Sequence, residues 1–512
     1  MKANRMLPRA GVVLALAAAA GLAVWNHTVT VAAGQPVPQT STVPGSTVLR
    51  ACPAPGLAGS PATHLAVIAG PASGGSGRAV VTYSGTSPGA PLLSLTQPGV
   101  PSLTGVRSVA APVPAKTAHG KTAHASPSPS PSGGQAVTTV PVQGGVVVQA
   151  SGSMARGLEA EQVAGAGKVV ARCAGPGTDF WFAGPGIFTA PKVYLYLMNP
   201  GSQPADVNVQ GFTDAGPLVG STDSGVSVAP HTMVVQSLSK MLHGARAMAL
   251  HVRTSVGQVV AAAEEITGSA RSGAWLPASA APATRVFLPG MPATAGTRQL
   301  FVTVPGTQDA HITLHAITTK GSYEPTGGGG LDIPGGSVAQ LSLTSLSAIP
   351  GALEVSATEP VTATMLVPGG PPGTPGAFTA ASAPIQEQGV VAGNVSGGGL
   401  ASALVLSAPG RAATARVTQI AVGSSAQAAT STVVQVPAQH SVVEKLGRES
   451  ASHGTAFAVV VTVQAGSGPL YVGRVISASG KDGALQSILP VASALTTVPL
   501  PGVRGALISP AG

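Results

Sequence analysis

Val193-Tyr194-Leu195-Tyr196-Leu197-Met198-Asn199-Pro200-Gly201 decides how the rest of the chain is read. It is an apolar and aromatic run that stops at a Pro-Gly pair. The unit returns as Leu300-Phe301-Val302-Thr303-Val304-Pro305-Gly306 and as Ala403-Leu404-Val405-Leu406-Ser407-Ala408-Pro409-Gly410. The Pro-Gly pairs stand about 105 and 104 residues apart, and an alternating run follows each, at 205–210, 310–317 and 413–420. Proline fixes its own φ and glycine tolerates the turn, so each unit predicts strand, sharp connection, strand. A period this long specifies tandem domains, not a short solenoid repeat.

A second marker keeps step with the first. Pro230, Pro334 and Pro437 follow short runs at 226–228, 331–333 and 434–436. Each copy then closes with two more runs: 248–253 and 258–263, 352–356 and 361–367, 456–463 and 470–476. Paired short strands bounded by Gly and Pro predict an all-β chain of tandem immunoglobulin-like antiparallel β-sandwich domains. The Cys…Trp…Cys pattern of true immunoglobulin domains is absent, so only the architecture is implied. The alternative is a β-propeller, whose blades repeat at about 40 to 50 residues; it would need two blades per copy.

The expected division is 1–33 leader, 34–177 divergent first copy, 178–280, 281–372 and 373–478 clear copies, and 479–512 a tail that adds edge strands. The first copy is read from a likeness between 145–162 and 250–265. Its insertion at 115–134 holds Lys-Thr-Ala-His twice and the run Ser126-Pro127-Ser128-Pro129-Ser130-Pro131, a composition with no packable face.

Composition narrows the function. Gly 68 and Pro 46 are high, while hydrophobic residues reach 44% with only 3% aromatic, so valine and small residues must do most of the packing. The net charge of +9 comes from 26 basic and 17 acidic residues spread thinly, with no basic groove for a phosphate backbone; no nucleic-acid partner is expected. Lys2, Arg5 and Arg9 precede an apolar run at 11–25, which has the form of an export signal or a short N-terminal membrane anchor. Both leave the bulk of the chain outside the cytoplasm. There, Cys52 and Cys173 suggest one disulfide; two buried free thiols are the alternative.

Candidate chemistry is thin. Gly85-Thr86-Ser87-Pro88-Gly89 has the bare G-x-S-x-G form, but Pro88 leaves no helix after the serine, and an ordinary turn accounts for it. Ser237-Leu238-Ser239-Lys240 has the S-x-x-K form without its partner motifs. Asp206, Asp214 and Asp223 do not follow a calcium-loop spacing and read as turn caps. His231, His243 and His251, beside Glu264 and Glu265, lack a compact metal spacing. Asn26 and Asn394 open glycosylation-type tripeptides that read as incidental. Phe180-Trp181-Phe182 is the densest aromatic point; Trp181 either packs or offers a contact to a glycan or protein. No catalytic residue, metal or cofactor is expected.

Arg172-Cys173, Thr178-Asp179-Phe180-Trp181-Phe182-Ala183-Gly184, Leu197-Met198-Asn199-Pro200-Gly201 and Leu250-His251-Val252-Arg253-Thr254 together resemble an uncharacterised family of exported actinobacterial proteins, domain of unknown function 5719. The resemblance covers most of the chain after the leader and implies an envelope location without a catalytic template. The resulting expectation is a non-enzymatic envelope scaffold or adhesin-like binding protein, with an envelope protein or polysaccharide as partner. The alternatives are an envelope hydrolase acting on glycan or peptide, and an accessory subunit of a membrane complex.

Overall fold

The computed structural model describes residues 42–44, 47–53, 63–69, 77–83, 93–97, 136–141, 145–164, 169–187, 192–218, 225–267, 272–369, 376–421, 429–447, 456–478, 484–494 and 497–499. The leader, the insertion at 115–134 and the motif at 85–89 lie outside them. The chain divides into a small unit, Met1–Val43 with Val498–Gly512, and a large one, Pro44–Thr497. The described residues of the large unit form strands and short 3-10 turns.

One strand pattern occurs four times. In the second copy the eight strands of the pattern are Asp179–Pro185, Lys192–Met198, Ala205–Thr213, Val226–Val228, Met233–Ser237, Ala247–Val256, Val260–Thr267 and Ser272–Leu276, with the two-residue strand Gly216–Pro217 added beside the third. Strands 1, 6, 3 and 4 make one antiparallel sheet, and strands 5, 2, 7 and 8 make the other. The same orders hold in the first copy (Thr47–Cys52 to Val169–Arg172), the third (Ala283–Met291 to Ala377–Ala380) and the fourth (Gln388–Val395 to Leu485–Pro490). The fold is therefore all-β, built of antiparallel sandwiches, and each copy has its own apolar core between its sheets.

The Pro-Gly pairs at 200, 305 and 409 all join strand 2 to strand 3. Asn199 shows why the corner is tight. Its side-chain amide donates to the carbonyls of Gln203 (2.7 Å) and Val228 (2.9 Å), and its Oδ1 accepts the N–H of Gly201 (2.9 Å). This is the Asx geometry that lets a short polar side chain stand in for backbone.

The second marker slips by one residue. The turns before strand 5 are closed by Thr232 N–H on Ala229, Ser337 on Pro334 and His440 on Pro437. Ala229, not Pro230, is thus the equivalent of Pro334 and Pro437. The third turn residues His231, Gly336 and Gln439 all have positive φ.

The third copy departs from the expected pair at 352–356 and 361–367. Gly351–Val367 is one strand, whose first half pairs with Ala310–Thr318 and whose second half pairs with Arg298–Thr303. It supplies strands 6 and 7 and so ties the two sheets together. Strand 8 of this copy, Ala377–Ala380, lies past the boundary expected at residue 372. Leu485–Pro490, within the expected tail, is strand 8 of the fourth copy and pairs with Tyr471–Ala478.

The copies pack head to tail. The outward face of each 5-2-7-8 sheet covers strands 1, 6 and 3 of the preceding copy. Met198 and Val260 lie on Ala51 and Val147. Phe301 lies on Trp181, Phe212 and Ala249. Tyr471 lies on Phe287 and Ile317, with the Phe287 and Tyr471 rings stacked 4.3 Å apart. Ala66 and Ile68 of the first copy lie on Val390, Ala392 and Val460 of the fourth, which closes the circle. Four heterologous contacts of one kind, rotating until the last meets the first, make a ring. Sandwich packing within a copy is thus combined with the radial order of a propeller, at two sheets per copy.

Some joints require glycine. A methyl group on Gly473 would overlap the Cα of Gly290, so strand 7 of the fourth copy can sit on strand 1 of the third only without a side chain there.

Candidate functional site

Strand 8 of every copy lies at the ring centre, where each touches its neighbours on both sides. After strand 8 the chain crosses to strand 1 of its own copy. The crossing is marked by equivalent bridges: Ala174 to Ala51, Ser279 to Trp181, Ser382 to Phe287 and Ser493 to Gly389. Three of these segments share one sequence: Ala278-Ser279-Ala280, Ala381-Ser382-Ala383 and Ala492-Ser493-Ala494. Small side chains are what four strand ends converging on one axis can accommodate. They leave a cavity of about 440 Å³ with residues of all four copies on its wall, including Val170, Trp275, Ser279, Ser382 and Ile488.

The charged residues on that wall are Arg50, Glu159 and Arg172. Glu159 is buried and takes both guanidiniums: Arg50 Nη2 at 3.1 Å, Arg172 Nη2 at 3.0 Å and Arg172 Nε at 3.2 Å. Arg172 also donates to the carbonyl of Pro490 in the fourth copy (3.4 Å). Two residues along the same strand face, Glu161 accepts the N–H groups of Ala392 (2.8 Å) and Gly393 (3.1 Å). That is where strand 1 of the fourth copy bulges out of register. A side chain on Gly393 would run into Val163 and Glu161. The other side of Glu161 meets Arg474, whose Nη2 is 3.8 Å away and which has no exposed surface. Burial pushes the Glu161 carboxyl above its ordinary range, with Arg474 opposing, and burial pulls the Arg474 guanidinium down. The charges alternate from Arg50 through Glu159, Arg172 and Glu161 to Arg474, across the joint where the ring closes.

With this geometry in view, the family model of DUF5719, a family of unknown function, matches residues 131–447. The chain belongs to this family. The family region runs from just before strand 5 of the first copy to just after strand 5 of the fourth. It includes Glu159, Glu161, Arg172 and Trp275, and leaves Arg50, Arg474 and Ser493 outside. No curated protein and no solved structure matches the chain.

The residues singled out from sequence fall in several places. Cys52 and Cys173 form a disulfide that ties strand 1 to the end of strand 8 in the first copy, beside the cavity. In the chain-entropy account, closing a loop with a separation of 121 residues stabilises by about 5 kcal/mol. The bond fits an oxidising, extracytoplasmic setting. Trp181 is 5% exposed and sits in the joint between the second and third copies. Its ring is stacked on His251 at 3.8 Å and on Phe212 at 5.9 Å, while Phe180 and Phe182 face the core of their own sandwich. A partner would have to pull these sandwiches apart to reach it.

His251 also meets Asp179 (3.2 Å), yet burial holds its pKa below the ordinary value. Glu264 accepts the hydroxyl of Tyr196 (2.6 Å). Glu265 points the opposite way, and burial pushes it up to about 8. Asp214 accepts the N–H of Arg246 (3.0 Å), a turn-capping role. Asp206 lies at the far end of the preceding strand, Ala205–Thr213, and Asp223 lies outside the described residues. Ser237 hydrogen-bonds Ser239 (3.3 Å) at a strand end. Asn394 is buried, its amide donating to Val391 and Phe457. Among the described residues no three His, Cys, Asp or Glu side chains converge on one point, and no helix is long and apolar enough to cross a membrane.

Sequence reasoning missed the cavity. Its wall residues are far apart in the chain, and many of them are short and neutral. The Ala-Ser-Ala triplet, recurring at nearly the period of the Pro-Gly corner, was the available signal.

Proposed function

We propose that this protein is a non-enzymatic, extracytoplasmic binding frame of the cell envelope. The observation that carries this reading is the closed ring: four sandwiches, each packed on the one before, with one cavity at the point they share. A frame of this kind holds strand edges and loops at fixed spacing and needs no covalent chemistry. The Cys52–Cys173 disulfide supports a location outside the cytoplasm. A closed ring also favours a compact receptor over an extended adhesin stalk.

Cosedimentation tests the reading. The purified, disulfide-intact chain is mixed with isolated cell-wall polysaccharide and, separately, with membrane vesicles from the source organism. Saturable binding to one of them, with the polymer or lipid recovered unchanged, is the expected result. Absence of binding to both contradicts the frame reading. Release of glycan or peptide fragments points instead to the hydrolase alternative.

A further inference from the structure

The charge string beside the cavity does not balance. Arg50, Arg172 and Arg474 stand against Glu159 and Glu161, three guanidiniums to two carboxylates. Glu159, Glu161 and Arg474 are 2%, 1% and 0% exposed, so water does little to offset the difference. A buried charge is normally matched by a partner, because desolvation is otherwise costly.

The Arg474 guanidinium, which finds no hydrogen-bond partner among the described residues, lies off the cavity wall; the string meets the cavity at its other end. The Arg50 and Arg172 side chains keep 17% and 21% of their surface, and both lie on the cavity wall. Arg172 is committed to Glu159 through two nitrogens and to Pro490 through the third. Arg50 is bound through its two terminal nitrogens, to Glu159 and to the Leu49 carbonyl, and a guanidinium has five N–H donors. Ser382 is on the same wall, and its buried hydroxyl has no hydrogen-bond partner among the described residues. The remaining wall is mostly apolar, with Val170, Leu276, Ile488 and the Trp275 ring. A volume of about 440 Å³ is ordinary for a small-molecule pocket.

We propose that the central cavity binds a small organic acid, a single carboxylate on an apolar body. Arg50 donates to the carboxylate from beside Glu159, and the body lies against Trp275 and the aliphatic wall. Guanidinium and carboxylate suit each other in geometry and charge. This goes beyond the frame reading, which stands whether the cavity is filled or empty.

Titration calorimetry of the disulfide-intact full chain with octanoate, octan-1-ol and octylammonium tests it. Octanoate is expected to bind saturably at one site per chain. The alcohol and the amine should bind about tenfold more weakly or worse, the equivalent of one lost charge-assisted contact. Arg50→Gln should weaken octanoate about tenfold or more. Ala278→Trp, a substitution at an exposed residue of the wall, should block binding by filling the space. If Arg50→Gln does not fold, the alcohol comparison and Ala278→Trp decide. Lack of saturable octanoate binding, equal affinity for octan-1-ol, or undiminished affinity in either folded variant overturns the proposal.

Discussion

The two arms of each Pro-Gly corner carry opposite patterns. Strand 3 alternates over its first six residues: Ala205–Thr213 and Ala310–Thr318 each run buried, exposed three times over, with Asn208 and Gln210 of the second copy in solvent, and only their last three residues, where the next copy covers Phe212 and Ile317, are buried without a break. Strand 2 does not alternate. In Lys192–Met198 every residue from Leu195 onward is buried, although Leu195 and Leu197 face their own core and Tyr196 and Met198 face away from it. A strand covered on both faces reads as a continuous apolar run, while one with a wet face alternates. The difference between the arms therefore reports the ring, since the outward face of strand 2 is dry only because the preceding copy covers it.

Substitutions on outward faces sharpen this contrast. The largest effect is expected at Glu161, on the outward face of strand 7 in the first copy. Glu161→Ala leaves Arg474 buried without its counter-charge and two backbone N–H groups without their acceptor. About 5 kcal/mol of unfolding free energy should be lost in denaturant titration. Tyr196→Ala removes a side chain that is 1% exposed and takes one hydrogen bond from the buried Glu264, for a loss of about 4 kcal/mol. An outward tyrosine facing water would lose far less.

Glu265 gives a smaller, pH-dependent effect. Its carboxyl is held up to about 8 by burial, above its ordinary value in the unfolded chain. The folded state therefore holds a proton that the unfolded state releases. Stability from this group is full below the ordinary carboxylate range, falls as pH rises toward about 8, and levels off above it. Glu265→Gln should flatten that fall, and melts from pH 5 to 9 should show roughly 4 kcal/mol less decline than in the parent. At the other extreme, Gln210→Ala on the wet face of strand 3 should change stability by less than about 0.5 kcal/mol.

Much of the architecture was legible because it is local. The Pro-Gly corners mark one connection in three copies, and the runs beside them mark strands 2 and 3. Turn chemistry was less legible: Pro230 sits one position later than Pro334 and Pro437, because proline is tolerated at either place in a four-residue turn. The joined strand Gly351–Val367 looked like two because Glu359-Pro360 interrupts its apolar run. The ring and its cavity were hidden for a different reason. Glu161 and Ala392 are 231 residues apart, and no local periodicity records such a contact. The chain crossings beside the cavity are alanine and serine, which read as linker in any window.

Small-angle X-ray scattering from the full chain tests the closed ring most directly. A compact chain of 512 residues has a radius of gyration of about 24 Å. The ring predicts a value near this for the folded region, and a pair-distance curve with one compact maximum. A much larger radius with a long, stepped tail, as from four sandwiches strung end to end, would contradict it.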